Sequence, residues 1–91
     1  MSKSCKHIVF SGQVQGVGFR FTVFHTANRY GLAGYVRNVH DGNVEMIVQG
    51  PAKDISNCLS DIKKSFAGYI TDTAIAEIAL DPEYEDFKIT F

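Results

Sequence analysis

The chain has 91 residues, of which 45% are hydrophobic and 21% charged, and its net charge is −1. Those totals suit a single domain over residues 1–91 with a modest core and leave no room for a second core. They lack the broad basic field on which sequence-independent nucleic-acid binding rests, and no apolar run approaches the about 18 residues that cross a bilayer.

Met1–Lys6 is basic, but no apolar segment of about 7–15 residues follows it, so a secretory leader is not expected and the cytoplasm is the expected compartment. Cys5 and Cys58 are too few for a disulfide scaffold. One exposed and one buried thiol is the expected arrangement, with a Cys5–Cys58 bridge as the alternative.

Along the chain, His7–Gly12 is a β-branched and aromatic run ended by glycine, which predicts a strand. The stretch from Gly12 to Arg20 then places three glycines, Gly12, Gly16 and Gly18, before a fixed cation. Glycine lets the backbone bend through positive φ and brings its N–H groups close to a ligand. Successive N–H groups in such a bend form an anion-binding concavity, and a following helix N-terminus reinforces it. Arg20 adds a planar donor fork suited to phosphate or carboxylate oxygens. The local chemistry is that of a small-anion site.

A helix is expected from about Phe21 to Tyr30, because Val23, Ala27 and Tyr30 fall at i, i+4 and i+7 and Gly31 follows as a stop. Phe21 and Phe24 sit partly off that stripe and flank the core. Gly34–Val39 and Asn43–Gln49 read as two strands joined through Asp41-Gly42, a strong hairpin signal. A loop of those two residues alone sets Val39 opposite Val44, Asn38 opposite Glu45 and Tyr35 opposite Val48. Val44, Met46 and Val48 then face inward, and alternation sends Asn38 to the opposite, wetter face.

Gly50-Pro51 ends that strand, and Ile55, Cys58, Leu59, Ile62 and Phe66 make a one-sided stripe for a second helix over about 52–66. Ile70–Leu80 contains a weakly alternating strand, and Asp86–Phe91 alternates strictly as a last one. The order is strand, helix, strand, strand, helix, strand, plus a short final strand. It predicts an α+β, ferredoxin-like βαββαβ sandwich: an antiparallel sheet with two helices on one face.

The glycine loop matches neither of two common phosphate motifs. No Gly-Lys-Ser/Thr follows it, and its glycine spacing is not that of a dinucleotide fingerprint. Cys5 does not open a Cys-x5-Arg loop, since position 11 is serine. His7, His25 and His40 are scattered without metal-ligand spacing, and Asp81, Glu83, Glu85 and Asp86 read as a solvated acidic turn.

Several segments carry a family likeness: Val14-Gln15-Gly16-Val17-Gly18-Phe19-Arg20, Gly31-Leu32, Gly34-Tyr35-Val36-Arg37-Asn38, and Asp41-Gly42 followed by Val44-Glu45. Gln49-Gly50-Pro51 and the closing Phe87-Lys88-Ile89 extend it over nearly the whole chain. The chain thus resembles a small acylphosphatase. The resemblance implies hydrolysis of small acyl phosphates to a carboxylate and inorganic phosphate, without metal, cofactor or covalent intermediate. It assigns the phosphate cradle to the backbone of Gln15, Gly16, Val17, Gly18, Phe19 and Arg20, the same phosphate oxygens to the Arg20 guanidinium, and the attacking water to the Asn38 carboxamide. Many members carry threonine after that asparagine, where this chain has Val39.

The partners then expected are an acyl phosphate substrate and inorganic phosphate as product and competitive inhibitor, with no nucleic acid and no membrane, for a monomeric protein. The alternative is a non-catalytic phosphate- or acyl-phosphate-binding module of the same fold. A third reading is RNA binding, from a faint aromatic echo in Gly16–Phe21. It is disfavoured because that segment leaves a strand for a helix instead of lying on a central strand.

Overall fold

The first apolar alternation becomes β1 (Lys3–Gly12), a long strand, in the computed structural model, which describes residues 2–91. It is followed by α1 (Phe19–Arg29), β2 (Ala33–Asn38), a short 3-10 turn (His40–Gly42) and β3 (Val44–Pro51). Next come α2 (Ala52–Ser65), β4 (Ile70–Ile78) and β5 (Phe87–Ile89). The strands run β4-β1-β3-β2-β5 across one sheet, and the four longer ones pair antiparallel as the split βαβ pattern requires. β5 adds itself parallel to β2, with Val36 opposite Ile89, so the complete sheet is mixed.

Both helical stripes bury as their periodicity predicts. Ile55, Cys58, Leu59 and Ile62 of α2 and Val23 and Ala27 of α1 meet Ile8, Phe10, Val36, Val44, Met46 and Val48 of the sheet in one core. Phe24 packs at the margin of that core, whereas Phe21 is exposed. Phe19 is the aromatic centre at the start of α1: its ring meets Phe10 edge-on at 5.0 Å and Phe66 at 4.9 Å. Phe19→Ala should therefore cost about 3–5 kcal/mol of folding stability, read as a fall in the urea midpoint at constant slope.

Two expectations are corrected. The Asp41-Gly42 pair does turn through positive φ, 70° and 80°, but His40 joins the turn, so the tip has three residues. The extra residue shifts the register by one: Asn38 lies opposite Val44, Arg37 opposite Glu45 and Tyr35 opposite Ile47. Directly opposed residues share a face. Asn38 therefore shares the helix-covered face with buried Val36 and Val44, not the wetter face. The second correction concerns the thiols: both Cys5 and Cys58 are buried, and both are free. Cys5 faces away from the helices beside Gln49, whose carboxamide clasps the backbone of Asp81 at 2.8 and 2.9 Å.

Candidate active site

Two buried side chains hold the glycine loop taut. Val14 and Phe19 are sunk in the core, while Gln15, Gly16, Val17 and Gly18 between them are exposed. Gly16 and Gly18 both take φ of 77°, in the left-handed region that favours glycine. A Cβ on either would meet nothing within 4 Å, so these glycines are required by conformation and the space above them is open. The first turn of α1 closes with Thr22 N–H donating to Gly18 C=O at 3.1 Å. Among the described residues, no backbone N–H from Gln15 to Arg20 has a protein acceptor. Donors left over at a helix start, in a bend anchored at both ends, are the kind of groups that can bind an oxyanion.

Arg20 stands at the second position of α1. Among the described residues it forms no ion pair; its guanidinium lies over the Phe91 ring, 5.0 Å from the centroid. β5 brings that ring there, because Thr90 N–H donates to Val36 C=O at 2.9 Å and carries the chain on past the end of β2. Gly16, Gly18, Arg20, Phe21, Ile89 and Phe91 thus line an open hollow of about 340 Å³ with a cationic head and apolar sides, the Phe21 and Phe91 rings being largely exposed at its rim.

Asn38 lines a different, smaller hollow of about 280 Å³ with Arg37, Val39 and His40. Its side-chain oxygen is buried without a hydrogen-bond partner among the described residues. Asn38 thus presents on that hollow an acceptor that no protein donor among the described residues occupies. The loop and the asparagine are joined through Gln15, whose side-chain Nε2 donates to Val39 C=O at 3.0 Å and to Asn43 C=O at 2.8 Å. The structure thus brings the cradle against the neck of the hairpin that carries Asn38. It leaves the Arg20 head and the Asn38 carboxamide lining separate hollows instead of a shared one. Val39 contributes its main chain to that junction on both sides, as donor to Asn43 and acceptor from Gln15.

A larger hollow, about 540 Å³, lies elsewhere, between α2 and β4, lined by Lys6, Lys63, Lys64, Leu59 and Ile75. It has no strained backbone and no converging N–H donors, so the chemistry points to the loop instead. Neither cysteine competes as a nucleophile: burial pushes the Cys58 thiol up to about 12, and burial, with Asp81 and Glu77 nearby, raises Cys5 as well. Three contributors to the site were not read from the sequence: the Gln15 side chain, Phe91 and Ile89. The strict alternation of residues 86–91 was the available signal for the last two, since it sets Phe87, Ile89 and Phe91 on one face.

The acylphosphatase family model matches residues 6–89. An acylphosphatase of Ligilactobacillus salivarius is 41% identical over 91 residues, covering 98% of this chain and 99% of that protein. One from Bacillus pumilus is 36% identical over 84 residues, covering 91% of this chain and 93% of that protein. The crystal structure of the Bacillus subtilis acylphosphatase superposes with a TM-score of 0.87 at 29% identity, over 99% of this chain and 100% of the other. Identity at this level across the full domain, on a matching fold, shows that the chain belongs to the acylphosphatase family.

Proposed function

We propose that this hydrolase splits small acyl phosphates with three groups: the main-chain N–H donors of residues 15–20, the Arg20 guanidinium and the Asn38 carboxamide. The observation that carries this reading is the row of acceptor-less N–H groups from Gln15 to Arg20, set at the head of α1 beside an unpaired cation. Phosphoryl transfer through a loose transition state asks for positioning and charge stabilisation more than for covalent help. The N–H donors and Arg20 bind the non-bridging phosphoryl oxygens and stabilise their charge as the bond to the leaving oxygen stretches. Asn38, which accepts and donates but is no base at neutral pH, orients a water behind the phosphorus. The leaving group is a carboxylate whose conjugate acid has a pKa of roughly 4, so it departs without a general acid. That is why the arrangement needs no general acid.

The partners in this reading are the acyl phosphate and inorganic phosphate, for a cytoplasmic monomer that takes no nucleic acid. No helix among the described residues is long and apolar enough to cross a membrane. The apolar walls beside the cradle suit the acyl group of benzoyl phosphate. Hydrolysis of benzoyl phosphate, followed continuously with and without EDTA, is expected to be indifferent to the chelator and competitively inhibited by phosphate. Phosphate binding without turnover in the intact chain would replace this reading with that of a binding module. Sedimentation at micromolar concentration tests the monomer.

A further inference from the structure

Gln15 enters the site twice. Its main-chain N–H belongs to the cradle, while its carboxamide reaches across to the hairpin. An amide nitrogen carries two hydrogens, and here both are used, one on Val39 C=O at 3.0 Å and one on Asn43 C=O at 2.8 Å. Those carbonyls flank the neck of the hairpin tip, where Val39 N–H donates to Asn43 C=O at 3.0 Å. Asn38 stands one residue before that neck, at the last pairing of β2 with β3. An exposed glutamine can satisfy its donors with water; this one instead bridges 24 and 28 residues of sequence to two main-chain acceptors.

Among the described residues, the Asn38 side-chain oxygen has no protein partner to hold it. Its place relative to the cradle must come from the backbone that carries it, and among the described residues only Gln15 ties that backbone to the loop through a side chain. We infer that Gln15 is a positioning residue, fixing the separation between the phosphate cradle and the Asn38 carboxamide so that the held water lines up with the phosphorus. The inference rests on the reading of Asn38 as the residue that orients water. Misplacement of about 1 Å in such an alignment can cost on the order of 10²-fold in rate.

Gln15→Met keeps the length of the side chain and its main-chain N–H but removes both donors. Gln15→Glu sets a carboxylate against two carbonyls and should be the more damaging. For the methionine variant kcat is expected to fall about tenfold or more, while the inhibition constant of inorganic phosphate changes by less than about twofold. Hydrogen exchange at the Val39 N–H should quicken while the thermal midpoint holds, as befits an exposed side chain. In an Asn38→Ala background, followed by single turnover of benzoyl phosphate at high enzyme concentration, Gln15→Met should cost less than about twofold, because coupled residues are not additive. Unchanged kcat in Gln15→Met overturns the inference. So does phosphate affinity that falls in step with kcat, which would mean that the cradle itself was damaged, or a full-sized effect in the Asn38→Ala background. Wild-type kcat in Asn38→Ala alone would instead remove the reading of Asn38, and this inference with it.

Discussion

Arg20→Ala is expected to lower kcat/KM for benzoyl phosphate by at least about 10²-fold and to leave the fold intact. The two halves of that expectation come from the same facts. The guanidinium has no carboxylate partner among the described residues and rests only on the face of the Phe91 ring. Removing it breaks no ion pair, so the change in folding stability should stay within about 0.5 kcal/mol, the usual range for a surface substitution. Beside the acceptor-less amides of the loop, however, it is the group that, in the proposed reading, would supply a full positive charge to a phosphoryl oxyanion. The inhibition constant of inorganic phosphate should rise together with the loss of kcat/KM, because ground state and transition state carry the same oxygens there. Arg20→Lys separates charge from shape: lysine keeps the cation but loses the planar fork, and should recover only part of the activity. Steady-state kinetics beside a thermal melt decides the matter; near-wild-type turnover in Arg20→Ala would end the proposed role.

How far the sequence revealed this site depended on whether each signal was local. Gly16 and Gly18 advertise their bend, since few other residues accept a φ of 77°. The α2 stripe announces its buried face, because 3.6-residue periodicity survives any tertiary detail. The hairpin shows where locality ends. Asp41-Gly42 fixes that a turn occurs, but whether His40 lies within it is decided by packing, and that one residue moved Asn38 from one face of the sheet to the other. Alternation at the C-terminus predicts a strand without naming its neighbour, so the parallel pairing of β5 with β2, and with it the approach of Phe91 to Arg20, came only from the fold. Cys5 is buried for a similar reason: contacts far along the chain, such as the clasp of Gln49 on Asp81, cover that face of the sheet. The two bonds from Gln15 leave no local trace at all.

Asn38→Ala should cut kcat by at least about 10²-fold, the scale on which a single preorganised polar group acts in a transition state. Unlike the arginine, Asn38 is not expected to matter for phosphate itself. The cradle and Arg20 remain, so phosphate should inhibit the variant with an affinity within about twofold of the parent. Folding stability gives the sharper test. Most buried polar side chains repay their desolvation with hydrogen bonds, and deleting one destabilises. The Asn38 side-chain oxygen makes no such bond to the protein among the described residues, so Asn38→Ala breaks no protein hydrogen bond at that atom. The variant should therefore unfold at a nearly unchanged urea concentration while losing turnover. A residue kept only for the fold would show the reverse pairing, lower stability with activity scaled to the folded fraction. Lost activity with retained stability is the signature of a group kept for the reaction and not for the core.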